Sequence, residues 1–441
     1  MKCIHKLALT IGAMALIMSS SCKKYLDVNT DPDRPVVAPP ASILTGAEVT
    51  AAYTIGGADF ALVASILSNQ TDGASQQFAS YQNYLLVADN FSNSWSNMYQ
   101  GILLNLVELR RLAEEKKYYH YSGTSKILTA YVLGTVTDMW GDVPYSDAFK
   151  GANFDFKSKY DKQEDLYKTI DGLLTGAIAD LNQPALGIQP DVNDVIFEGD
   201  VQKWIQFANS YRLRLLIHQT KKDAAGFAQK VIAAAAAPGG IITQEADDAQ
   251  VVFLSDPSRA NPIYQFNVTR GGYVAYESSY LIKSMQALGD SRVSRYRPGS
   301  FYGNKTSPVI FLSSYELQFI LAEAHERLGH HAEAKAFYEA GVKGSFLKVG
   351  AAIGNYLSHP EVSFDAATDK LKLILTQKYY ALYLQPEAYT DWRRTGIPAL
   401  VSKNGDKPIP RRLPYPQTEL SYNESNVPTG ITLTTRMWWD Q

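Results

Sequence analysis

Leu317–Val342 reads LQFILAEAHERLGHHAEAKAFYEAGV, and it decides the fold class. Two apolar stretches flank Leu328-Gly329-His330, and small residues recur along both. Leu321 and Ala322 occupy paired positions on a first helix, and Gly329 supplies the turn. Ala334, Tyr338 and Gly341 lie on a second helix. Small side chains let two antiparallel helices close, while the larger ones fill the groove between them. One such hairpin cannot bury its own apolar face, so neighbouring helix pairs are expected.

This spacing resembles a tetratricopeptide repeat, and much of the chain around it reads as helix too. Trp95, Tyr99, Ile102, Leu103, Leu106 and Leu109 recur every three or four residues, the mark of one buried helical stripe. Ser125–Trp140 is predicted as a helix after a short polar turn at Ser122-Gly123. It should stop at Gly141, with Pro144 preventing a restart. Leu166–Leu181 and Val201–His218 read as a further pair. Strand-like alternation is weak: 251–254 and 309–312 are short and look isolated. The expected class is mainly α, a scaffold of helical pairs with irregular loops and few short strands.

The 441 residues allow a substantial core. Lys and Arg number 42 against 44 Asp and Glu, which offers no basic footprint for nucleic acid. Arg393-Arg394 and Arg411-Arg412 are expected to be internal ion-pair partners. Of two cysteines, Cys3 lies in an apolar leader and Cys22 directly follows it. Residues 1–21 read as a secretory signal: Lys2 and Lys6, an apolar core from Ala8 to Met18, then Ser19-Ser20-Ser21. The arrangement resembles a bacterial lipoprotein signal, with Cys22 lipidated and then N-terminal. Ser19 departs from the Leu or Val usual three residues before that cysteine. Beyond the leader no uninterrupted run of about 18 apolar residues appears, so attachment is expected through lipid alone. The proline-rich segment 22–41 reads as an extended tether and 42–441 as one folded domain.

Several segments resemble the SusD/RagB family of outer-membrane nutrient-binding lipoproteins. The late ones are Thr376-Gln377-Lys378-Tyr379-Tyr380, Asp391-Trp392-Arg393-Arg394-Thr395-Gly396-Ile397-Pro398, and Ile409-Pro410-Arg411-Arg412-Leu413-Pro414-Tyr415-Pro416 with Glu419. Upstream lie Asp138-Met139-Trp140-Gly141-Asp142-Val143-Pro144-Tyr145, Asn261-Pro262, and Asp290-Ser291-Arg292, where Ser291 replaces the family's proline. Leu26-Asp27 and Asn29–Pro32 match its mature start. The resemblance implies a SusD-like helical body facing the cell exterior. It also implies a partner, a SusC-like TonB-dependent outer-membrane transporter that the lipoprotein caps.

Chemistry is sparse. His325 and His330 are five apart with Gly329 between them, which fails the i, i+4 geometry of a zinc helix, so no metal is expected. No nucleophile elbow or phosphate-binding glycine loop appears, no cofactor is indicated, and the chain is read as non-catalytic. Asp247-Asp248 reads as a solvated turn. The 28 tyrosines suit both helix packing and sugar stacking. In Thr71–Asn83, Asp72, Gln76 and Gln77 could bond sugar hydroxyls while Tyr81 and the following Tyr84 stack on a sugar face. The alternative is a surface loop whose tyrosines pack locally. Trp95 is a further candidate, although its stripe favours core packing. Tyr273 and Tyr276, beside Gly271-Gly272, form a second loop candidate, and Tyr302-Gly303-Asn304 a weaker third. Trp438-Trp439 either seals the body or forms an exposed patch. The expected function is capture of an oligosaccharide for the transporter. A peptide ligand, a purely structural cap and, last, a glycoside hydrolase are the alternatives.

Overall fold

Helix pairing organises the chain because its apolar residues recur with a helical period over long stretches. The computed structural model describes residues 38–151, 157–297 and 299–441, so the leader and most of the tether, with Cys22, lie outside the described residues. Ten described helices have ten residues or more. They are α1 (Pro40–Ile55), α2 (Leu104–Lys116), α3 (Tyr119–Trp140), α4 (Gln163–Leu181), α5 (Val201–His218), α6 (Ala224–Ala235), α7 (Ser314–Arg327), α8 (His331–Lys348), α9 (Lys370–Ala381) and α10 (Pro386–Thr395). Pro40 opens α1 at its first position, where a missing N–H costs nothing, so the helix starts two residues before the expected body. Residues 40–441 form one compact unit.

The decisive hairpin is α7–α8. Ser313 caps α7 by accepting from the Glu316 N–H, and Gly329 turns the chain at φ +75°, a conformation costly for other residues. Gly341 lies beneath the Phe319 ring, and Tyr338 closes the groove with its hydroxyl donating to Val362 O at 2.6 Å. The face this pair cannot bury alone packs on α6 and α9.

Three local expectations need correction. Ser122-Gly123 is no turn; it lies inside α3, and the break falls earlier, at Lys117 with φ +57°. Gly123 is small for a packing reason, since a Cβ there would come within 2.6 Å of Leu181 on α4. Ser122 Oγ donates to Asp180 on the same helix at 2.6 Å. Accordingly α4 packs mainly on α3, and on α5 less closely. The strand-like runs are not isolated either. β4 (Ala249–Val251) pairs antiparallel with β6 (Val309–Leu312). Two further two-stranded sheets form: β1 (Asp72–Gly73) with β5 (Val274–Ala275), and β2 (Val143–Pro144) with β3 (Tyr160–Asp161).

Pro40–Leu67 has the length and composition of a membrane span, with mean hydropathy 1.4, yet most of it is buried in this body. Glu48 within it is fully buried. Asp247-Asp248 also differs from expectation: Asp248 is buried, accepts from Ser314 N at 2.7 Å and pairs with Lys348 at 2.8 Å. It ties β4 to α7 and α8, which a solvated turn could not do.

The arginine pairs explain themselves at helix ends. Arg393 donates to the Asp138 carbonyl near the end of α3 at 2.6 Å, and Arg411 donates to the Arg393 carbonyl near the end of α10 at 3.1 Å. Cations there offset the negative pole of each helix. The expected ion pairs form at Arg394, with buried Glu323 at 2.6 Å, and at Arg411, with buried Asp440 at 3.3 Å. Trp439 seals the body, fully buried and donating to Asp138 at 2.9 Å, while Trp438 is half-buried.

Candidate functional site

Two segments about two hundred residues apart in sequence form one surface, and the first is not the irregular loop expected, since Gln76–Gln82 is a short helix. Asp72 faces Ala275 and Gly73 faces Val274 across the β1–β5 pair, and Ala74 N continues the contact to Tyr273 O at 2.9 Å. Phe78 binds the two segments side on, its ring 5.1 Å from Phe266 and 6.3 Å from Tyr273. The Phe78–Phe266 pair is set edge to face, which adds stabilisation beyond the area buried, while Tyr273 lies tilted to Phe78.

A third segment completes the surface. Lys403 reaches across to pair with Asp72 and donates to the Thr71 carbonyl at 3.2 Å, while its backbone N–H donates to Tyr84 Oη at 3.0 Å. Burial lowers the pKa of Lys403, and the Asp72 carboxylate works against that shift. Asp72 also accepts from Ser278 Oγ, so one carboxylate anchors three strands of chain. Apolar side chains stand exposed beside this polar anchor: Leu85 and Val87 follow Tyr84, and Val401 precedes Lys403 by two residues.

The candidate residues divide sharply by accessibility. Gln76 is exposed, Gln77 and Tyr273 are half-buried, and all three border the β1–β5 surface. Gln77 Nε2 donates to Tyr81 Oη, which fixes the amide. Tyr81 itself is fully buried, stacked on Phe91 with centroids 6.1 Å apart and edge-on to Phe78. Burial pushes its phenol up to about 12. Tyr84 and Tyr276 have buried rings; Tyr276 Oη donates to Asn267 at 3.3 Å. In this conformation none of these three rings offers a face for a sugar to stack on.

Trp95 follows its helical stripe into the body. It stacks on Tyr99 at 4.6 Å and meets Trp140 edge-on at 5.2 Å. Tyr302 packs against Tyr296 and Tyr383 in the core. The aromatic residues thus form a spine from Tyr273 through Phe78, Tyr81, Phe91 and Trp140 to Trp95, with Tyr273 at the accessible end. Sequence reasoning missed Lys403, Ser278, Phe78 and Phe266. Lys403 has no local signal, because its partner lies far away in the chain.

Among the described residues no group of three or more His, Cys, Asp or Glu side chains is placed to hold a metal ion. His325 and His330 meet at 3.3 Å between Nδ1 atoms, and the His325 ring stacks on Phe337.

The model of a SusD-like family described as starch-binding and associating with the outer membrane matches residues 32–305 and 298–416. Among solved structures, a chitin-binding protein is 23% identical with a TM-score of 0.76, covering 91% of this chain and 100% of its own. A SusD-like protein of Bacteroidetes is 20% identical with a TM-score of 0.78, covering 92% and 100%. A SusD homolog from Bacteroides fragilis is 23% identical with a TM-score of 0.75, covering 92% and 100%. At these identities the likeness establishes the fold. No curated protein sequence matches the chain.

Proposed function

Since the chain belongs to the SusD-like family, whose members are described as starch-binding and associating with the outer membrane, we propose that it captures a nutrient oligosaccharide at the cell surface and passes it to a SusC-like TonB-dependent transporter. The observation that carries this reading is the β1–β5 junction, which sets Gln76, Gln77 and Tyr273 around one surface. The Tyr273 ring supplies an apolar face, while Gln76 and the Gln77 carbonyl supply hydrogen-bonding groups for hydroxyls, the division of labour a sugar site requires. Asp72, Tyr81, Tyr84, Tyr276 and Trp95 serve this surface from beneath. Held by the Asp72–Lys403 pair and the aromatic spine, it loses little freedom on binding, which favours affinity at a shallow site.

Calorimetry of the purified protein against maltooligosaccharides, chitooligosaccharides and a peptide panel tests this. Saturable binding of one glycan class is expected, without release of reducing ends. Silence across both panels would transfer the role to a structural cap of the transporter.

Lipid attachment at Cys22, with residues 1–21 removed, holds the body at the outer membrane on the tether 22–41. Each buried methylene contributes about 0.8 kcal/mol, so two or three acyl chains hold firmly where one would not. Cys22→Ala should shift the protein from the membrane pellet to the soluble fraction. Full retention in the pellet would place the anchor elsewhere.

A further inference from the structure

On the helical-pair side of the body, the ends of α5, α7 and α10 border a cavity of about 230 Å³. Its lining carries three cations, Lys221, Arg327 and Arg394, with the hydroxyl residues Thr220 and Thr395 and an apolar wall of Leu371, Leu375 and Ile397. No carboxylate lines it. The acids that balance these cations are Glu323, Asp391 and Asp440, each with a fully or almost fully buried side chain.

Each of these carboxylates is shared among cations. Glu323 is shared by Arg327 and Arg394, and Asp391 by Arg394 and Lys378. Asp440 is shared by Lys221, Arg411 and Arg436. Through these ion pairs six cations share three carboxylates, with Lys378 also acting electrostatically on Glu316. Two of the lining cations also keep donors to spare. Arg327 bonds Glu323 through Nε and Nη2, which leaves Nη1 without a partner among the described residues. Lys221 directs Nζ to the Asp440 carbonyl and carboxylate, leaving one of its three N–H groups uncommitted. Both side chains are partly exposed where they line the cavity.

We propose that this pocket binds a small oxyanion, a phosphate, a sulfate or the carboxylate of an acidic sugar. The anion sits in the cavity that Arg327 and Lys221 line and accepts from their uncommitted donors. Charge-assisted bonds to guanidinium and ammonium are the strong class, and a partly enclosed site screens them less than open surface does. The competing account is that the cations only offset the negative ends of the converging helices. That account predicts no saturable ligand.

The two accounts separate by calorimetry of the purified protein with inorganic phosphate, at constant ionic strength set with chloride. Saturable one-to-one binding is expected. It should weaken at least tenfold in Arg327→Gln and in Lys221→Ala. Leu371→Glu, which puts a carboxylate on the pocket wall, should abolish it without lowering the melting temperature. D-glucuronate and D-glucose form the second arm. Binding of glucuronate but not glucose assigns the site to sugar acids, and binding of phosphate alone assigns it to the free ion. Absence of saturable binding to any of these anions, or unchanged affinity in all three variants, overturns the proposal. Affinity for a neutral oligosaccharide at the β1–β5 surface should not change in these variants, so the two sites fail or stand separately.

Discussion

Glu323→Ala should lower the unfolding free energy by about 3–5 kcal/mol, because it strands a buried guanidinium. Glu323 takes both oxygens to Arg394, at 2.6 Å each, and also accepts from Arg327 at 2.9 Å. Its side chain and that of Arg394 are wholly buried. Removing the carboxylate leaves Arg394 a long bond to Thr220 at 3.4 Å and one carboxylate partner, Asp391, which Lys378 already shares. The pair also fastens α7 to α10, so its loss loosens the helical-pair region against the segment carrying the Arg-Arg motif. Urea denaturation at neutral pH measures the effect directly. A loss under about 1 kcal/mol, as for a surface pair, would show that the pair contributes little to stability.

The same carboxylate couples folding to acid. Burial alone would raise its pKa, but Arg394 and Arg327 overrule that and hold it at about 2. An unfolded glutamate titrates near ~4.3. The unfolded state therefore takes up the proton first as pH falls. The contribution is complete above about pH 4.5, declines below it, and is lost on passing through about pH 2. Its size is on the order of a few kcal/mol. Glu323→Ala should therefore show a flatter loss of stability between about pH 4.5 and 2 than the parent. Parallel curves would assign the acid sensitivity to other carboxylates.

The second large effect separates two tyrosines that look alike in sequence. Tyr81→Ala should cost about 3–5 kcal/mol, the range for removing a large buried aromatic side chain, since the ring stacks on Phe91 and meets Phe78 edge-on. Any loss of glycan binding would then follow from damage to the spine. Tyr273→Ala removes a half-buried ring and should cost about 1 kcal/mol of stability. It should still weaken oligosaccharide binding tenfold or more, equivalent to about 1.4 kcal/mol. Melting temperatures and calorimetric titrations of both variants distinguish the roles. Undiminished affinity in Tyr273→Ala would remove that ring from the site.

How far the site was legible depends on the range of each signal. Gln76, Gln77 and Tyr273 could be singled out because amides and aromatics in polar, glycine-containing stretches stand out locally. Their convergence could not. Neither β1 nor β5 has more than two residues, too few for any alternation to show. Nor does sequence separate Tyr81 from Tyr273, because each sits among polar neighbours and only burial divides them. Asp248 was misread for a similar reason: an adjacent acid pair looks solvated until Lys348 is found a hundred residues on.

The long helices, the α7–α8 hairpin, the stops at Gly141 and Gly329, the Trp95 stripe and the family itself were determined by sequence, whereas the pairing of α4 with α3 was not. Periodicity, caps and short motifs act within one or two helical turns, where neighbours in the chain are neighbours in space. Tertiary structure alone decided that β1 meets β5, that Lys403 anchors Asp72, and that three cations gather around a pocket at the ends of α5, α7 and α10. Those contacts join residues about 70 to 330 positions apart. Which of the possible long-range partners meet is fixed only when the whole core closes.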